Sequence, residues 1–147
     1  MSFFDQLGAL FAKYDVLGAF WVNIQLTFWA AIGSFVLGAI LALMRISPVP
    51  SLRWAGTIYV HLFRNTPLTI LMTLALLGVW TQFQLSFSTD FETNFFVYAV
   101  IVLSIYHASF VCEAIRSGVN TVPTGQAEAA RAIGLGFMDT ARMIIFP

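Results

Sequence analysis

Charge is what this sequence has least of: Asp, Glu, Lys and Arg make up 10% of its 147 residues, against about 25% in an ordinary soluble domain. That deficit excludes a water-solvated globular monomer. Its basic side is Lys13 and six Arg, balanced by seven acids to zero net charge, so no clustered basic excess supports a nucleic-acid partner. Cysteine is limited to Cys112, and one thiol cannot staple a fold internally. A basic leader is missing too, because the chain opens Met1-Ser2-Phe3-Phe4-Asp5-Gln6 and its first apolar run is too long for the hydrophobic region of a secretory signal. What fills the space is apolar, 59% of residues, with 15 Phe among them.

The gaps between charges organise the chain. None falls between Asp15 and Arg45, a stretch of roughly 43 Å as helix, more than the roughly 30 Å hydrocarbon core. A second gap separates Arg64 from Asp90, with an apolar part at 67–80 that turns polar at Thr81, Gln82 and Gln84. The third, between Glu92 and Glu113, is about the minimum spanning length. An all-α membrane protein follows, with three transmembrane helices at about 20–44, 58–80 and 94–113. Before them Phe3, Phe4, Leu7, Leu10 and Phe11 recur at helical spacing, which suits a short helix on the membrane surface. Orientation follows from the cytoplasmic bias of Lys and Arg. The first connection holds Arg45 and Arg53 with Pro48 and Pro50 as helix stops, and the second holds Asp90 and Glu92. The first is therefore expected inside and the second outside, with the N-terminus outside and Arg116, Arg131 and Arg142 in the cytoplasm.

Inside the spans, Ala30, Ser34, Gly38 and Ala42 recur every four residues, a small-residue stripe that lets a neighbouring helix approach closely. Asn23, Gln25 and Thr27 cluster near the outer end of span one, where interfacial hydration and the entrance of a polar path are both open readings. Arg64 should lie near the cytoplasmic end of span two, where its side chain can snorkel, and Pro67 after it suits a helix start. Alternatively, Trp54 to Phe63 forms its own segment before the span proper. In span three Tyr106, Ser109, Glu113 and Arg116 are spaced by three, four and three, so they share a face. That face either lines a path, with Arg64 and Asn65 as further gating candidates, or is a bundle-interior hydrogen-bond network ending in an ion pair. His107 and Cys112 point well apart around the helix and lack a second ligand pair, which speaks against a metal. His61 is read as an interfacial histidine rather than a proton relay.

After span three the residues 119–136 read VNTVPTGQAEAARAIGLG. Pro123 and Thr124 start a helix, Glu128 faces the positive end of its dipole, and Gly134 is a natural left-handed stop. The result is a helix of about nine residues, Ala-rich on its surface, with a break at Gly136 and a second apolar helix from Phe137. It is shaped to fit another protein's groove and carries nothing to catalyse with.

Glu128-Ala129-Ala130, then Gly134, then Ile144-x-Phe146-Pro147 resembles the EAA signature of ABC importer permeases, with Phe146 where Leu is usual. Phe63-Arg64-Asn65-Thr66-Pro67-Leu68 is similar to that family's Arg-Gly-Thr-Pro-Leu segment, with Asn65 in place of Gly. The resemblance covers most of the chain from about Phe20 and is strongest to polar amino-acid permeases, glutamate-type members above all. It implies a type I importer in the cell membrane. Two permease subunits would form the pathway, a cytoplasmic ABC ATPase dimer would drive it, and an extracytoplasmic amino-acid-binding protein would deliver substrate. Gly125, Glu128, Ala129, Ala130 and Gly134 would belong to the coupling helix that docks on the ATPase. No cofactor is expected in this chain: it has no Gly-x-x-x-x-Gly-Lys-Ser/Thr loop, its one lysine being Lys13, so ATP would bind the partner. Residues 1–147 are thus read as a single, partial permease domain with its EAA segment at 117–147. The apolar run into Pro147 suggests a C-terminally truncated member whose remaining spans are missing. The expected function is non-enzymatic import of a polar amino acid, glutamate first. Basic or uncharged amino acids are the alternative within transport, and a non-transporting membrane anchor or assembly protein is the alternative outside it.

Overall fold

A computed structural model describes residues 3–145. Its helices are α1 (Phe3–Lys13), α2 (Val16–Ile46), α3 (Pro50–Arg64), α4 (Leu68–Thr73), α5 (Phe91–Asn120), α6 (Thr124–Ala132) and α7 (Phe137–Thr140). α4 runs on into a wide-turned π-helical stretch, Leu74–Gln82, and α7 into a second one, Ala141–Ile145. No strand occurs among the described residues.

The two long helices have sequence-encoded ends. Asp15 caps α2 by accepting the Gly18 N–H at 2.9 Å, satisfying one of the donors a helix start leaves open. α2 stops at Ser47, which is extended (φ −61°, ψ 144°) because the following Pro48 excludes the helical region. Asp90 caps α5, accepting from the Thr93 N–H at 2.8 Å and the Thr93 hydroxyl at 2.7 Å. Those Thr93 hydrogen bonds, side chain first, hold the Asp90 carboxyl below the usual carboxylate range.

α2 and α5 are each long and apolar enough to cross a membrane, and they pack chiefly on one another. The stripe Ala30, Ser34, Gly38 and Ala42 is buried along its whole length. Contact at Gly38 is so close that a Cβ there would stand 2.6 Å from the Val111 Cβ and 2.9 Å from the Ala108 carbonyl oxygen. Leu41, Ala42, Val60, Ala108 and Cys112 form the core beside it. The outward residues of α2, including Phe20, Trp21, Phe28, Trp29 and Phe35, remain exposed, as expected where lipid replaces water.

The expected continuous span at 58–80 is corrected. The chain bends by 96° between Pro50–Arg64 and Leu68–Gln82, so the reading with a separate segment before the span is the one adopted. Pro67 has no N–H to donate and drives Thr66 out of the helical region. Pro67 is itself extended (φ −60°, ψ 137°) at the start of α4. The freed end of α3 is closed by Asn65 N–H to the His61 carbonyl at 3.2 Å and the Thr66 hydroxyl to the Leu62 carbonyl at 2.8 Å. α3 is fastened sideways instead, its Tyr59 hydroxyl donating to the Ile105 carbonyl of α5 at 2.8 Å. The third expected span, 94–113, lies inside α5, which continues to Asn120.

Between the π-helical stretch and α5 the chain folds back on itself, helped by a positive φ of 52° at Gln84. The buried Asn94 Oδ1 accepts the N–H groups of Phe87 and Ser88 at 2.8 and 3.3 Å. The Tyr98 hydroxyl donates to the Leu85 carbonyl at 2.6 Å, and its ring stacks on Trp80 at 5.8 Å.

Candidate functional site

Two places gather the residues singled out from the sequence. The first is α6. It begins after the extended Pro123 (φ −59°, ψ 136°) and closes at Gly134, whose φ of +88° is open to glycine and strained for other residues. Backbone bonds from the Gly134 N–H to Arg131 and from the Leu135 N–H to Ala130, both 3.0 Å, satisfy carbonyls at the helix end. Gly125, Glu128, Ala129 and Gly134 are exposed, whereas Ala130 is only 4% exposed and faces the hairpin that α6 makes with α7 and the stretch after it. An alanine at the inward position fits this close packing. The outward residues leave a low-relief surface whose one charge among those singled out is Glu128.

The second place is at the Arg45 end of the long pair, where arginines from three helices gather around Glu113. Arg45, in the last turn of α2, pairs with Glu113 Oε1. Arg116, one turn along α5, donates Nη2 and Nε to Oε2 at 2.9 and 3.2 Å. Arg64, the last residue of α3, stands with Nη1 3.8 Å from Oε1 and lies over the Phe110 ring, 5.5 Å from its centroid. The side chains of Arg45 and Glu113 are 12% and 21% exposed. Ion pairs this far from water need each other, because losing one partner strands a charge. Three guanidiniums against one carboxylate also leave the place positive. Beside it opens a cavity of about 320 Å³ lined by Val60, His61, Arg64, Asn65, Phe110 and Glu113.

The structure therefore brings Arg64, Asn65 and Glu113 together and leaves Tyr106 and Ser109 out. Ser109 is fully buried and donates its hydroxyl to the Tyr106 carbonyl at 2.7 Å. The Tyr106 ring packs on His107 and Phe110, each 5.2 Å away. Along the shared face of α5 Ser109 is buried and Tyr106 is half-buried, and the stripe ends in the ion cluster. His107 turns Nδ1 to the Leu103 carbonyl at 2.9 Å. Sequence reasoning found the Glu113–Arg116 pair and missed Arg45. The available signal was a basic residue at the end of a long apolar span with no acid in its own connection. Phe110 as the platform under Arg64 had no signal in spacing.

Residues 34–147 match the family model described as binding-protein-dependent transport system inner membrane component. The glutamate transport system permease protein GluC of Corynebacterium efficiens is 49% identical over 138 residues, covering 90% of this chain and 60% of that protein. The arginine transport system permease protein ArgU of Corynebacterium glutamicum is 38% identical over 131 residues, 85% of this chain and 42% of its own length. A solved structure, a crystal structure of an amino acid ABC transporter with histidines, superposes with a TM-score of 0.70 at 30% identity, covering 84% of this chain and 54% of that one. The chain thus spans about 60% of the length of the GluC relatives it matches. With the bent second span, the small-residue helix pair and the match over its last 114 residues, this chain belongs to the binding-protein-dependent transport system inner membrane components, a family of membrane transport permeases.

Proposed function

We propose that the chain is the permease part of an ATP-driven importer for a polar amino acid, with glutamate the first candidate, and that it is not itself an enzyme. The observation that carries this is α6: nine residues directly after the long α5, stopped by a left-handed Gly134 and exposing Gly125, Glu128 and Ala129. Such a helix suits insertion into a cleft of a cytoplasmic ATPase dimer, which would bind the ATP and pass its closure on through α6. The positive-inside bias supports a cytoplasmic α6 and an outer loop between the π-helical stretch and α5. That outer side would meet an extracytoplasmic amino-acid-binding protein, and a second permease subunit would complete the pathway.

The 49% identity to GluC supports glutamate, and the 38% identity to ArgU keeps a basic amino acid as the second reading. Two experiments separate the claims. Gly134→Asp in the intact transporter should abolish uptake and stimulated ATP hydrolysis together, because a side chain at φ +88° distorts the end of α6. Persistence of both would leave a membrane anchor. For the substrate, the cognate binding protein should retain glutamate over arginine and histidine; tight retention of arginine would sink the glutamate assignment and leave the importer standing.

A further inference from the structure

The ion cluster holds one guanidinium with its donors unspent. Glu113 Oε1 is taken by Arg45 and Oε2 by two donors of Arg116. Arg64, at 3.8 Å from Oε1, is beyond hydrogen-bonding distance. Among the described residues its guanidinium makes only that distant ion pair and the contact with the Phe110 ring. Its side chain is 45% exposed and borders the cavity of about 320 Å³ whose other walls are His61, Asn65, the apolar Val60 and Phe110, and Glu113, whose carboxylate is already met by Arg45 and Arg116. A planar fork of five donors, held from behind by a ring face, is built to take an oxyanion in two-point contact.

The helix that presents Arg64 indicates which oxyanion. α3 lies at 96° to the segment after it, so where that segment crosses a membrane, α3 runs close to the membrane plane. Trp54, Ile58 and Leu62 recur every four residues along it and are 70%, 44% and 58% exposed, while Gly56 and Val60 on the other side are buried. Arg53 near one end and Arg64 at the other complete the pattern of a helix lying between headgroups and acyl chains. A small soluble anion has no use for that apolar stripe, whereas a lipid would lay its chains along it. Three Arg against one Glu at this end supply the charge complement for an anionic headgroup.

We infer that Arg64, with His61 and Asn65 at the rim, binds the phosphate of an anionic phospholipid, and that α3 is the interfacial helix that presents it. This goes beyond transport, and its test is independent of the amino acid carried.

The intact transporter, purified in neutral detergent, is titrated with phosphatidylglycerol and with phosphatidylcholine, and bound lipid is counted by native mass spectrometry. Wild type should retain phosphatidylglycerol in preference. Arg64→Gln should weaken that retention about fivefold, the scale of one cationic contact at a membrane surface, and Arg64→Lys should restore most of it. Leu62→Gln lies outside the ion cluster and should weaken retention of both lipids alike. An unchanged lipid preference in Arg64→Gln overturns the assignment, as does an unaltered retention in Leu62→Gln. Displacement of phosphatidylglycerol by millimolar glutamate or inorganic phosphate also overturns it, in favour of a soluble-anion site.

Discussion

The two ends of α5 are held by different chemistry. At the Asp90 end, neutral and capping hydrogen bonds run between residues close in sequence: Asp90 to Thr93, Asn94 to Phe87 and Ser88, and Tyr98 to Leu85. At the other end, Glu113 ties three helices through ion pairs, and its bond to Arg45 joins residues 68 positions apart. Local bonds shape a loop and cost little to rearrange. The ion cluster ties α2, α3 and α5 together, and its buried Arg45–Glu113 pair is stable only while both partners are present.

That contrast is open to attack in order of expected effect. Glu113→Gln should be the most damaging change, because it leaves Arg45, at 12% exposure, without its partner. A loss of about 3 kcal/mol is expected, read as a shift in the denaturant midpoint of the full-length protein in micelles. Gly38→Ala tests whether close approach rather than charge governs this end, since its new Cβ meets Val111 and the Ala108 carbonyl within 3 Å. It should cost about 1–3 kcal/mol. Gly33→Ala tests the same seam further along and should cost a similar amount, because its new Cβ meets the Ser104 hydroxyl, which can rotate away, and also the Ser104 Cβ at 2.8 Å, which cannot.

At the other end, Tyr98→Phe keeps the ring on Trp80 and removes one hydrogen bond, for a loss of about 1 kcal/mol in the same denaturant assay. If Tyr98→Phe matches Glu113→Gln, the two ends are not different in kind. The smallest effect should be the acid response of the Asp90 cap. Its carboxyl titrates lower in the folded chain than unfolded. The stability it adds is therefore complete above the unfolded carboxylate pKa and is lost as pH falls through the lower folded one. Hydrogen exchange at the Thr93 amide should show that loss of protection in wild type and no such step in Asp90→Ala.

How legible each feature was follows from its range. The ends of α2 and α5 are written locally, in Asp15, Pro48 and Asp90, and the stripe from Ala30 to Ala42 announced a close partner by its period. α6 was equally plain, from Pro123 to Gly134. The break at Asn65-Thr66-Pro67 was harder, because Pro67 is compatible with a helix start inside one long span and with a turn between two segments. Tyr59 bonding to Ile105 and Val60 entering the core with Ala108 and Cys112 are what hold α3 aside. In the candidate site, Glu113 and Arg116 were visible as neighbours on one helix face, while the spacing left open whether Ser109 on that face lines a path or is buried in the bundle, because burial depends on which helix packs against it.

By itself, then, the amino-acid sequence determined the membrane solvent, the approximate spans, the small-residue seam and the short helix after α5, because composition and periodicity act within a segment. Only the tertiary structure decided that α3 turns aside by 96°, that Arg45 reaches Glu113, and that Arg64 is left with open donors over Phe110. Those outcomes depend on which faces of separate helices meet, and a partner dozens of residues away leaves no mark in the spacing of either one.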